Sequence, residues 1–257
     1  MKKIALISLL CLVMFTATGC KKFSYEFSID KKGNVTISET DAMNMSVIES
    51  FVSAEEIESK LAEATTEMEG EGYEVTVYND GTFKGLTRKN KENINVETFK
   101  REQLPVGFSL SQPQPVVFDK EFLKNKYTIK WQYNLQQALD KDNEKNGSTA
   151  EDEYLPSDEG ARQQQQMMQD VFAETVKPIA DLKITIPYRA VSHNANKADK
   201  IENGFEYTWD LSNLEEPISI ELAYEKVDYT GSIMVLTFIF LFVGLFLFFL
   251  KAKEESF

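Results

Sequence analysis

Apolar and polar residues alternate with period two over much of the chain, the pattern of half-buried strands. Phe23, Tyr25, Phe27 and Ile29 alternate with polar partners, Lys31-Lys32-Gly33-Asn34 supplies a turn, and Val35 and Ile37 resume the pattern. Tyr73–Tyr78 and Thr82–Thr87 flank the turn Asn79-Asp80-Gly81. Val116–Phe118 and Tyr127–Leu135 read as strands, the second with Tyr127, Ile129, Trp131, Tyr133 and Leu135 on one face. Leu182–Ile186, Phe205–Leu211 and Ile218–Val227 follow. A helical period breaks in after Ser53-Ala54-Glu55-Glu56, a capping box. Ile57, Leu61, Ala64 and Met68 form one stripe, and Gly70 and Gly72 end it. Val96–Leu104 suits a short helix. Gln136–Gln166 is acidic, Gln-rich and poor in apolar residues, so it reads as a mobile excursion closing in a second main helix over Gln163–Val176. These elements predict an α+β domain, an antiparallel sheet with about two packed helices.

Both ends depart from this alternation. Ile233–Leu250 carries no charge, and eighteen such residues would rise about 27 Å as a helix, near the thickness of a hydrocarbon core. Lys251 and Lys253 follow it, as on a cytoplasmic flank. The expectation is one C-terminal transmembrane helix over 231–250 with a cytoplasmic tail, 251–257. At the other end, Lys2-Lys3 precedes an apolar run and Ala17-Thr18-Gly19-Cys20, the pattern of a signal peptide over 1–19 ending in a lipid-accepting cysteine. Residues 20–230 would then be extracytoplasmic, held at the cell membrane by a diacylglycerol on Cys20 and by the helix. With both tethers short, the first and last strands are expected to run antiparallel, with the start of one and the end of the other at the same membrane-facing end.

Composition narrows the chemistry. The net charge is −13, and removal of Lys2 and Lys3 with the signal makes it −15, which disfavours nucleic acid as a partner. The two cysteines are Cys11, inside the signal, and Cys20, so the ectodomain holds neither a disulfide nor a thiolate nucleophile. His193 is the one histidine and has no evident catalytic partner, so a turn or surface role is expected. Trp131 and Trp209 are expected in the core. Asp142, Glu144, Asn146 and Glu153 have calcium-loop spacing around Gly147, but Pro156 bars an immediate exiting helix, so a solvated acidic loop is the simpler reading. Met167, Met168, Val171 and Phe172 form an adaptable apolar stripe, the candidate ligand face. No catalytic residue, resident metal or cofactor is expected.

The chain resembles the LppM-domain bacterial lipoproteins. The likeness rests on Gly19-Cys20, the aromatic first strand with its Lys-Lys-Gly-Asn turn, the Gln/Met segment near 163–168, Lys183-Ile184-Thr185-Ile186-Pro187, Ala190–Ala195 and Tyr207–Leu211, in that order. It implies an envelope-facing α+β lipoprotein domain, with lipid or surface binding as the usual suggestion and no catalytic residues to carry over. Under it, His193-Asn194-Ala195 becomes a loop signature between strands. The sequence thus leads to a non-enzymatic envelope lipoprotein that binds a lipid or an envelope component. A structural or assembly factor contacting membrane proteins is the first alternative, and a carboxylate-dependent hydrolase the second.

Overall fold

The computed structural model describes residues 21–49, 52–92, 94–121, 123–145, 178–227 and 229–254. The alternation read from sequence becomes two facing sheets. The strands are β1 (Lys21–Ile29), β2 (Asn34–Asn44), β3 (Tyr73–Asn79), β4 (Phe83–Asn90), β5 (Ile94–Asn95), β6 (Phe108–Leu110), β7 (Val117–Lys120), β8 (Lys124–Tyr133), β9 (Ile179–Ile186), β10 (Ala190–His193), β11 (Lys197–Ile201), β12 (Gly204–Asp210) and β13 (Ile218–Val227). The helices are α1 (Ala54–Gly70), α2 (Leu135–Lys145) and α3 (Tyr229–Glu254), besides a single helical turn at Met45–Ile48. The first sheet runs β11-β12-β9-β1-β2-β4-β3, with β5 beside β2. The second runs β10-β13-β8-β6, with β7 beside β8.

The α+β class agrees with the sequence, and the single antiparallel sheet does not. There are two sheets, and β1 pairs with β9 in parallel while its other neighbour β2 is antiparallel. Both neighbours present aromatic or branched residues inward. Phe23, Tyr25, Phe27 and Ile29 of β1 meet Leu182, Ile184 and Ile186 of β9, all buried. From the facing sheet come Ile129, Trp131 and Tyr133 of β8 with Ile220, Leu222 and Tyr224 of β13. Phe27 and Trp131 lie 4.9 Å apart by ring centroid, and Phe108 sits edge-on to Tyr25 at 5.0 Å. These rings fill the space between the sheets, as offset and edge-to-face aromatics do.

Local signals account for several boundaries. Ser53 Oγ accepts from the Glu56 N–H and opens α1, which lies against β3 and β4. Its stripe, Ile57, Leu61, Ala64 and Met68, is only half-buried. Val96–Leu104 holds only a 3-10 turn at Arg101–Gln103, pinned by Gln103 Oε1 accepting from the Lys100 N–H. The first part of the expected excursion is helical. Asn134 Oδ1 accepts from the Gln137 N–H, and Leu135, Ala138 and Leu139 are buried in the core, an i, i+3, i+4 face. Residues 146–166 lie outside the described residues.

Two expectations about the ends are corrected. Tyr229–Glu254 is a helix, but among the described residues no helix is long and apolar enough to cross a membrane. The geometry of the two tethers also differs from expectation. Tyr25 near the start of β1 meets Tyr133, which is in register with Ile218 at the start of β13. At the other end, Lys226 Nζ donates to the Lys31 carbonyl at 3.2 Å. So β1 and β13 run in the same sense in facing sheets. Lys21 and Val227 sit at opposite poles, separated by roughly the 30 Å length of a nine-residue strand. The reason is topological: an even number of reversals along the sandwich separates them, and sequence alternation carries no information about that number.

Candidate functional site

The pole from which α3 departs gathers aromatic rings and basic side chains. Three elements supply them: the start of β8, the end of β13, and the turn Pro187–Arg189 between β9 and β10. Tyr127 and Tyr224, opposite each other in the β8–β13 ladder, stack at 4.9 Å with planes 8° apart. Tyr188 continues the stack at 6.5 Å from Tyr224, and Phe118 packs on Tyr127 at 5.1 Å. Between these rings and the β1–β2 turn lies a small, shallow hollow, bordered by Asp30, Gly33, Val96, Pro187 and Lys226. Gly33 has φ 88°, a left-handed conformation that glycine adopts without strain and that the tight turn requires.

Charge around the hollow is ordered by short local bonds. Asp30 accepts from the backbone N–H groups of Lys32 and Asn34. Its pKa lies below the usual carboxylate range: burial pushes it up, and the bonds from Asn34, Lys32 and Gly33 outweigh that. Lys124 bonds Glu225 at 2.7 Å and lies 3.6 Å from Glu121. Lys31, Lys32 and Arg189 point to solvent. Burial holds the Tyr127 and Tyr224 phenols above the usual tyrosine range. Both rings are buried at the edge of the inter-sheet core, 4% and 2% exposed, and stay neutral at physiological pH.

The other pole holds acids together with basic partners. Lys22 Nζ donates to Tyr78 Oη at 2.5 Å and to Asp80 Oδ2 at 3.0 Å, while Tyr78 Oη donates to the same Asp80 oxygen at 2.7 Å. Bonds from the Phe83 N–H, Tyr78, Lys22 and the Thr82 N–H hold the Asp80 carboxyl far below its ordinary range. Burial pulls the Lys22 ammonium down, but Tyr78 and Asp80 raise it further. Asp41, Asp181 and Asp210 stand at the same end of the first sheet, and Glu58 of α1 pairs with Lys84 there. Burial raises the Asp181 carboxyl, which accepts from Ser24 Oγ at 2.9 Å. Asp181 and Asp210 are ladder partners, yet the Asp210 carboxylate is occupied by the Ser212 N–H, so the pair is tied into a strand end and not across a cleft.

Asn194, beside the solitary histidine, does work that its sequence did not reveal. Its Oδ1 accepts from Trp209 Nε1 and from the Glu221 N–H, both at 2.8 Å, and its Nδ2 donates to the Ser219 carbonyl at 2.9 Å. Trp209 belongs to the first sheet and Glu221 to the second, so one amide fastens the two sheets. His193 is exposed at the end of β10, with its ring 4.8 Å from Tyr207. Trp131 and Trp209 are buried core residues, as expected. The signal for Asn194 was available: an amide between a strand end and a buried tryptophan needing an acceptor.

Among the described residues there is no group of three metal-ligating side chains. Asp142 and Glu144 fall within α2 by backbone, and their side chains, with Asn146 and Glu153, lie outside the described residues. So do Cys20 and the stripe Met167, Met168, Val171 and Phe172. The tyrosine pole was missed in the sequence because its rings come from three separated segments.

No family model matches the chain, and no curated protein matches it. A solved structure is similar in fold: the folded domain of LppM from Mycobacterium tuberculosis, determined by NMR. It shares 10% identity at a TM-score of 0.40, covering 82% of this chain and 93% of that one.

Proposed function

We propose that this is a non-catalytic envelope lipoprotein that binds lipid through its surface. The observation carrying this reading is α3. Ile233, Met234, Phe238, Phe240 and Phe242 are each more than 60% exposed there. With the exposed Leu236, Ile239 and Leu241 they leave a broad apolar surface uncovered on the helix. A diacylglycerol on Cys20 would add a second lipid contact, since one acyl chain alone holds only reversibly. The filled interior speaks against an enclosed lipid cavity between the sheets and for contact at the surface.

Mass spectrometry of an organic extract of the full chain, purified in mild detergent, tests this. Lipid at stoichiometric amounts supports the reading, and a lipid-free chain refutes it. In the same preparation Cys20→Ser removes the mass of the attached acyl groups.

The half-buried stripe of α1 favours a second reading, a factor that assembles with other envelope proteins. Val77 of neighbouring β3 is 57% exposed and extends that apolar surface. Crosslinking in the native membrane from α1 to a protein neighbour, with no lipid bound, would put this reading first.

A further inference from the structure

A sheet edge is a row of unpaired N–H and C=O groups, and natural folds blunt such edges with lysine, proline, bulges or brevity. Most edges of this fold are blunted in that way. β11 carries Lys197 and Lys200 within five residues. β10 is four residues long and broken by a bulge between Ala190 and Ser192. β6 and β7 share the edge of β8 as pieces of three and four residues. β3 differs. Its seven residues, Tyr73-Glu74-Val75-Thr76-Val77-Tyr78-Asn79, run in unbroken register with β4 and include neither lysine nor proline. Among the described residues no strand lies beyond it. Every second residue of β3 therefore turns its N–H and C=O outward.

The surroundings of that edge select its occupant. Lys84 of β4 pairs with Glu58, which places α1 on the face carrying Lys84, Leu86 and Arg88 and, by register, Val75 and Val77. Glu58 thus marks the flank of α1 turned towards β4. By helical spacing Glu56, Lys60, Glu63 and Glu67 occupy the opposite flank, beside the free edge of β3. Glu56 and Lys60 answer each other at 3.3 Å, while exposed Glu63 and Glu67 have no partner among the described residues. The neighbouring cations of β4 are already engaged: Arg88 with Glu39 at 2.7 Å, Lys89 with Glu74 at 3.5 Å, and Lys84 with Glu58. Val77, on the same face as α1, is 57% exposed.

We propose that β3 takes up an extended basic segment of a partner protein as an added strand. This names the partner's chemistry for the assembly reading and rests on that reading, independently of lipid. Main-chain bonds to β3 hold the segment and fix its register. Alternate residues of a strand repeat at about 6.7 Å, and Glu63 and Glu67, one helical turn apart, repeat at about 6 Å. Lysine or arginine at two alternate positions therefore meets both carboxylates, while the methylene stems lie over Val77. A second copy of this chain fits the edge worse. Its own Glu63 and Glu67 would stand against this pair across the shared edge, with each Lys60 already held by Glu56.

Amide hydrogen exchange of the full chain in mild detergent, read by mass spectrometry, tests the inference. The probe is a seven-residue peptide alternating lysine and valine, added up to roughly millimolar concentration. The expected result is slower exchange across residues 73–79, by about fivefold or more at saturation, with β13 unchanged. The same peptide with alternate backbone amides methylated cannot complete the ladder and should give no protection. Glu63→Gln with Glu67→Gln, both on the exposed flank of α1, should weaken the peptide's binding by roughly fivefold. No protection by the lysine–valine peptide, or equal protection by a glutamate–valine peptide, would overturn the inference. Protection that appears without peptide as the chain is concentrated would assign the edge to a second copy and overturn it as well. Crosslinks from α1 to an envelope protein in the native membrane, together with unchanged exchange in β3, would keep the assembly reading and overturn this inference alone. Absence of any protein crosslink from α1 would remove the assembly reading and this inference with it.

Discussion

Asn194 is the residue at which the sandwich is fastened, and its neighbour His193 is not. Replacing Asn194 by alanine removes three bonds and leaves the buried Trp209 indole N–H without its acceptor. The expected cost is about 2–3 kcal/mol, read by denaturant unfolding followed through tryptophan fluorescence. His193→Ala should cost less than about 1 kcal/mol, because the ring is exposed. A second residue-scale prediction concerns Tyr25 and Tyr133, whose hydroxyls meet at 3.2 Å in the core. Burial raises both phenols, Tyr133 to about 12. An unfolded tyrosine ionises near 10. The folded state therefore holds protons that the unfolded state gives up. Stability is unaffected below pH 10 and falls as pH rises from about 10 towards 12. Phenolate absorbance should show these two tyrosines ionising together with unfolding. Ionisation at pH 10 with the fold intact would contradict the burial.

At the scale of elements, the approach of β4 to β2 sets a strict requirement. A Cβ built at Gly85 falls 2.0 Å from the Asp41 carbonyl oxygen and 2.5 Å from the Ala42 Cα. Both are backbone and cannot turn aside. Gly85→Ala should therefore separate β4 from β2, costing about 2–3 kcal/mol in thermal or denaturant unfolding. The same substitution at Gly70, where nothing lies within 4 Å, should be near neutral. Helix α2 shows why some elements escaped a reading of composition. Its acidic and amide residues suggested a solvated excursion, yet Leu135, Ala138 and Leu139 alone suffice to seat it on the core. Three apolar residues at helical spacing outweigh the average polarity of a segment, because only the buried face contributes. Strands β6, β10 and β11 were illegible for a related reason. They are short, and their residues are mostly half-buried or exposed, so edge pairing and not alternation defines them.

For the molecule as a whole, the placement of the two chain ends decides how it can sit at a surface. Spin labels at Lys22→Cys and Val227→Cys, in a chain with Cys20→Ser, should lie roughly 30 Å apart by pulsed electron resonance. A distance under about 15 Å would restore both ends to one pole. This separation bears directly on the expected double attachment. A lipid on Cys20 and the apolar helix α3 cannot both tether the domain upright to one surface through short links, because a folded strand's length stands between them. The domain would have to lie along the surface, or the two contacts would serve separate surfaces.

Much of this was determined by the sequence alone. Period-two alternation placed β1, β2, β3, β4, β8, β9, β12 and β13, and Ser53 with Glu56 placed the start of α1. These are local effects, in which a residue's neighbours within one strand or turn decide its conformation. Composition likewise left residues 21–257 with one histidine and no cysteine. Only the tertiary structure decided which strands are neighbours, that β1 and β9 run parallel, and that Tyr127, Tyr188 and Tyr224 come together. It alone decided that Asn194 joins the sheets. Those facts depend on how many times the chain reverses and which edges meet. Such contacts join residues tens to hundreds of positions apart, and no local period records them.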